Sequence, residues 1–167
     1  MLVNNAATQT PVDALQPVEW RTLEDELHLN LHAPIHLAHL LLPSLVVRRP
    51  EAPEAAIVNI TSGLALAPKA ASAPYCASKA ALRSYSKALR WQLRETPVRV
   101  VEVLPPLVRT PMTAGRNEGA MAPAACAEQI VGGIRKGRDE IYVGKSQLLR
   151  VAMRVSPAIG ERIMRDS

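Results

Sequence analysis

The sequence predicts an α/β fold: a parallel sheet of about four strands with helices on both faces. Two observations carry this. Short apolar runs alternate with long helical ones along the whole chain, which is the pattern of βαβ units. The runs are also apolar at nearly every position, as in strands covered on both faces, and do not alternate. A length of 167 residues, with 48% hydrophobic and 21% charged, suits one globular domain with a real core.

The elements follow in order. Leu2-Val3-Asn4 reads as the end of a strand, and a polar loop holding Pro11 and Pro17 comes after it. A long helix is expected from about Val18 to Val47, with Glu19 in its first turn and a stop at Arg48-Arg49-Pro50. Ala56 to Ile60 is a buried strand ending at Thr61-Ser62-Gly63. A second long helix covers about Tyr75 to Glu95 and is closed by Pro97. Val98 to Leu104 is a third strand, ended by Pro105-Pro106. A loop from Thr110 to Met121 leads to a helix from Pro123 to about Lys136, then a strand from Glu140 to Gly144. The tail from Lys145 to Ser167 reads as one or two short helices, with Ser156-Pro157 as a cap and first position. No internal repeat or linker divides the chain into two domains.

Composition narrows the function classes. The longest apolar run, around Leu37 to Val47, is interrupted by His39 and Pro43, so no membrane span is expected. The start has no charged stretch leading into an apolar one, and Cys76 and Cys126 make no disulfide framework; a cytoplasmic protein is expected. The net charge of +5 is spread thinly. Its clearest concentration, Arg83, Lys87, Arg90 and Arg94, lies on one helix face without interleaved aromatics. It reads as a solvated face, and no nucleic-acid partner is expected.

Sites in parallel sheets lie outside the carboxyl ends of the strands, which directs attention to Asn5, Ser62 and Val108 to Thr110. Tyr75-Cys76-Ala77-Ser78-Lys79 places a phenol and an ammonium one turn apart on one helix face. A phenol titrates near pH 10, and a neighbouring positive charge favours its phenolate. Tyr-x-x-x-Lys alone occurs by chance on many helices. Here it comes with Asn4-Asn5-Ala6-Ala7 after the first strand, Asn30 in the long helix, Ser62 after the second strand, and Pro105-Pro106-Leu107-Val108-Arg109-Thr110 after the third.

In type, order and spacing this set resembles the short-chain dehydrogenase/reductase family, whose sheet is Rossmann-like. The resemblance implies an NAD(P)-dependent oxidoreductase acting on a small carbonyl or alcohol, with NAD and NADP undistinguished. It implies Tyr75 as general acid/base, Lys79 as the group that lowers the tyrosine pKa and holds the nicotinamide ribose, and Ser62 as the partner of the reacting oxygen. Asn30 would hold a water linking Lys79 to solvent. Asn5, Tyr75, Lys79, Pro105, Val108 and Thr110 would line the cofactor, with Val108 and Thr110 gripping the carboxamide. At Asn30 the sequence adds its own reason: Pro34, four residues on, has no N–H to bond the Asn30 carbonyl, leaving that oxygen for a water. The Ala33-Pro34-Ile35, Ser62-Gly63-Leu64-Ala65 and Pro105-Pro106 stretches are similar to a bacterial branch of the family associated with D-alanine esterification of cell-wall polymers.

Departures and discounted signals complete the reading. Ala7 stands where the family usually has glycine, and Pro106 replaces the glycine after Pro105. His28, His32, His36 and His39 recur at helical spacing but point more than about 100° from Asn30, so no metal site is expected and a surface or subunit interface is favoured. The sequon Asn59-Ile60-Thr61 sits in a buried strand, and Cys76 reads as a packing residue. The Thr110–Met121 segment resembles the substrate lid of relatives, and an ordinary loop is equally consistent. None of the eight glycines forms a Gly-x-x-x-Gly-x-Gly turn. The resemblance therefore spans about two thirds of a usual family member, without the glycine-rich pyrophosphate turn, and leaves the first strand as an open edge. Two readings follow: an oxidoreductase whose remaining part lies upstream, or a catalytically incompetent fragment or dimerising module. In either case the two long helices are the expected subunit contact, and this chain alone is expected to bind dinucleotide poorly.

Overall fold

The computed structural model describes residues 1–47, 55–115 and 118–165. Its four strands are β1 Leu2–Asn4, β2 Ala55–Ile60, β3 Val98–Leu104 and β4 Glu140–Tyr142. All are parallel, in the order β1-β2-β3-β4, and Asn4 lies opposite Asn59 in the register. The expected fold class holds, and β1 is an open edge with Val3 exposed.

Alternate residues of the strands feed two separate cores, which is why the strands are apolar throughout. On one face Ile57, Val98 and Val100 pack with Ala38 and Leu89. On the other, Val58, Val101, Val103 and Ile141 pack with Cys126. Helices α2 (Ala33–Val46) and α3 (Ala73–Gln92) cover the first face, and α4 (Pro123–Arg135) covers the second. Gly133 lets α4 approach closely, since a Cβ there would come within 2.8 Å of the Ile141 side chain.

The first long helix runs as α1 (Trp20–Leu27), a wider turn at His28–His32, and then α2. The widening has a local cause. Pro34 cannot donate, and the Ala33 N–H reaches five residues back to His28. Glu19 is extended and stands just outside the helix, which opens at Trp20 and not at Val18. Its expected stop at Arg48-Arg49-Pro50 lies outside the described residues. Pro43 sits inside α2 without ending it. As a result Trp20–Val46 is long and apolar enough to cross a membrane by length and composition, with a mean hydropathy of 1.2 over its most apolar stretch. The sequence had suggested that His39 and Pro43 would break such a run. The same helix buries Glu26, Asn30 and Ala38 against the rest of the chain.

Helix α3 opens at Ala73 with Pro74 in its first turn, which places Tyr75 and Lys79 in its first two turns. The tail forms α5 (Ser146–Val155) and α6 (Pro157–Arg165), which pack on each other.

Candidate active site

The sequence-selected residues are set around the amino-terminal end of α3. Tyr75 and Lys79 are both buried, and the Lys79 ammonium lies 5.8 Å from the centre of the Tyr75 ring. Lys79 Nζ donates to the Ile60 carbonyl at 2.9 Å, tying the helix to the carboxyl end of β2. Burial pulls the lysine down to about 8, and the charge of Glu26 opposes that shift. Ser62 follows β2 and accepts the Leu64 N–H at 3.1 Å, capping the short turn Gly63–Ala65 that packs on α3.

Asn30 is fully buried and reaches both the loop and α3. Its side chain accepts the Thr8 N–H at 2.9 Å and donates to the Thr8 carbonyl at 2.8 Å, a two-point grip on the chain after β1. It also donates to Ser78 at 3.2 Å, and Ser78 in turn donates to the Tyr75 carbonyl at 2.8 Å. Asn30, Tyr75 and Lys79 are therefore joined through Ser78 and its helix. Ser78 escaped the sequence analysis because a serine inside a helix carries no signal of its own.

The cofactor-lining candidates lie past the strand ends. Asn5 is exposed beyond β1, while Asn4 is buried and starts the chain Asn4–Asn59–Ser86, with bonds of 2.7 and 2.8 Å. Pro105 and Pro106 follow β3, and Val108 bridges to Met121. The Thr113 hydroxyl donates to the Val108 carbonyl at 2.7 Å and accepts the Thr110 N–H at 2.9 Å. Thr113 thus fixes both carboxamide candidates, another role that spacing did not reveal. The Thr110–Met121 segment is pinned at both ends by this turn and by the Val108–Met121 bridge.

A second network sits behind the site. Glu102, buried at the middle of β3, accepts from the Thr61 hydroxyl at 2.9 Å and from Arg83 at 2.5 Å. Burial pushes its carboxyl up, and the Arg83 charge opposes this. Arg83 lies one further turn along the Tyr75–Lys79 face, while Thr61 precedes Ser62. One carboxylate therefore ties the helix to the serine turn. This changes the reading of the basic stripe. Arg83 and Arg90 are inward ties, Arg90 bonding the Val100 and Asp139 carbonyls, and only Lys87 and Arg94 are solvated. The stripe's inner side faces acceptors within β3 and just before β4, which pattern alone could not show.

Glu102→Gln is expected to cost about 2–3 kcal/mol in urea unfolding, below the roughly 3–5 of a fully buried broken pair. The discount reflects Arg83, whose side chain keeps 25% exposure. Unchanged stability would show that the pair contributes nothing.

The four histidines are exposed, with His28 Nδ1 and His32 Nδ1 2.8 Å apart, while Asn30 points inward. Among the described residues no group of three or more His, Cys, Asp or Glu side chains could hold a metal ion. Asn59 and Thr61 of the sequon are buried. Cys76 is buried too, and its thiol is pushed up mainly by burial.

The sequence profile of the short chain dehydrogenases matches residues 1–120. The chain belongs to the short-chain dehydrogenase family. It is 39% identical over 161 residues to the uncharacterized oxidoreductase DltE of Bacillus subtilis (strain 168), covering 92% of this chain and 62% of that protein. The chain thus spans less than two thirds of this relative's length. Among solved structures, a short-chain dehydrogenase from Burkholderia cenocepacia J2315 in complex with NADP superposes with a TM-score of 0.87 at 23% identity, covering 98% of this chain and 69% of the other. That likeness shows the fold. A short-chain dehydrogenase from Sphingobium yanoikuyae in complex with NADPH gives 0.75 at 26% identity, over 96% and 62%.

Proposed function

We propose that the chain holds the proton-transfer half of an NAD(P)-dependent oxidoreductase acting on a small carbonyl or alcohol. The observation that carries this reading is the buried Tyr75–Lys79 pair at the start of α3, beside the Ser62 turn. Tyr75 gives its hydroxyl proton to the substrate oxygen in reduction and takes it back in oxidation. Ser62 hydrogen-bonds that oxygen. Lys79 favours the phenolate by its charge, and Pro34 leaves the Asn30 carbonyl to hold a relay water.

The residues present suit the nicotinamide end of a dinucleotide: an ammonium and a phenol for the ribose, with Asn5, Pro105, Val108 and Thr110 past the strand ends. When bound, the nicotinamide supplies or accepts the hydride. The NADP and NADPH carried by the solved relatives support a nicotinamide dinucleotide here. Exposed Leu37 and Leu40 on α2 and Trp91 on α3 support a homo-oligomer through the two long helices.

The test uses a longer form that carries a glycine-rich βα turn. There, Tyr75→Phe is expected to remove turnover and leave dinucleotide binding. In calorimetry the 167-residue chain is expected to bind NAD(P)H far more weakly than the longer form. Equal affinity would contradict this division of labour.

A further inference from the structure

Glu26 lies at the end of α1, one turn before Asn30, and is fully buried. One carboxylate oxygen accepts the Thr10 N–H at 2.6 Å, while Oε1 is buried with no hydrogen-bond partner. A buried carboxylate with an unpaired oxygen is costly, and such groups are retained where a nearby charge compensates. Helix α1 packs against α3, which carries the equally buried Lys79. That ammonium donates to a neutral carbonyl, that of Ile60. Two packed helices thus enclose one anion and one cation.

We propose that Glu26 is a positioning residue for the reaction, the buried counter-charge that keeps Lys79 protonated at neutral pH; this rests on the functional reading above. The surrounding groups single it out. On its own helix Tyr75 and Arg83 stand one turn to either side of Lys79, and Arg83 is already paired with the β3 carboxylate Glu102. From β2 it has the Ile60 carbonyl, and the neutral Asn30, from the turn before α2, bonds the neighbouring Ser78. Among the described residues, Glu26 is the nearby carboxylate not already bound to a cation. The direction of its influence agrees: its charge raises Lys79 against burial and also adds to the upward push on Cys76.

The test reads the lysine itself. In protein labelled at lysine Cε, with Lys79 assigned through Lys79→Arg, Glu26→Gln is expected to move the Lys79 midpoint downward. Gln keeps an acceptor for Thr10, so the loop contact is preserved. Glu26→Asp, which keeps the charge, is expected to hold the midpoint near its parental value. An unchanged midpoint in Glu26→Gln, or equal shifts in both variants, overturns the proposal. If the Gln variant does not fold, the unmodified protein decides. Its Lys79 Cε resonance must report an ammonium at pH 7, and a neutral amine overturns the proposal. The reading of the site fails separately, if Tyr75→Phe keeps turnover, because the lysine titration needs no activity.

Discussion

In a form extended by a glycine-rich βα turn so that it binds dinucleotide, Tyr75→Phe is expected to lower kcat by about 10²–10⁴-fold, the range a positioned acid/base supplies. Phenylalanine keeps the ring and loses only the hydroxyl, so the buried packing at the start of α3 is preserved. Stability should change by about 1 kcal/mol or less, the worth of one hydrogen bond. The Lys79 contact to the Ile60 carbonyl does not involve the phenol and should persist. Dinucleotide affinity, measured by calorimetry in the same preparation, should fall by no more than about tenfold, the loss of one ribose hydrogen bond. That pairing of a lost kcat with retained binding separates acid/base work from a packing role. A variant with parental turnover would remove Tyr75 from the mechanism, and one that also lost binding would assign it a structural task.

Much of this arrangement was legible in the sequence because it depends on spacing along single elements. One apolar stretch bordered by Pro97 and Pro105 marks β3, which runs from Val98 to Leu104 as expected. Tyr75 and Lys79 share a face because four residues make about one helical turn. What escaped was set by contacts between elements. Ser78, Thr113 and Glu26 sit at ordinary-looking positions, and each gains meaning only from what the fold brings to it: Asn30, Val108 and Lys79. Arg83 was visible as a basic residue on the Tyr75–Lys79 face, yet its inward role follows from Glu102, a charged residue inside an otherwise apolar strand. A lone carboxylate in such a strand was the available signal. Pro34 marks a missing donor, but periodicity does not show that the chain answers it by widening the turn, with the Ala33 N–H reaching back to the His28 carbonyl.

Lys79→Met is expected to stabilise the fold while removing activity. The lysine is 2% exposed, and burial lowers it from 10.5 to about 8. The difference, 10.5 − 8 = 2.5, corresponds to roughly 3 kcal/mol of stability forgone at pH 7. The sign follows from proton counts. Between pH 8 and 10.5 the unfolded chain binds the proton more often than the folded one, so native stability rises with pH through that window. Below pH 8 both states carry the charge, and the full penalty stands. Methionine has similar length and no charge, so it removes the penalty and leaves the Ile60 carbonyl without its donor, at about 1 kcal/mol. The net gain at pH 7 is then about 2 kcal/mol, or roughly 4–8 °C in Tm for a chain of this size. The gain should shrink steadily as pH rises from 8 towards 10.5. Paired thermal melts at pH 7 and pH 10 measure it, and a variant less stable at pH 7, or a gap that does not narrow, would refute it. The cost that Lys79 imposes on folding is what a site pays for holding a charge where the chemistry needs one, and a stabilised, inactive variant would expose that trade directly.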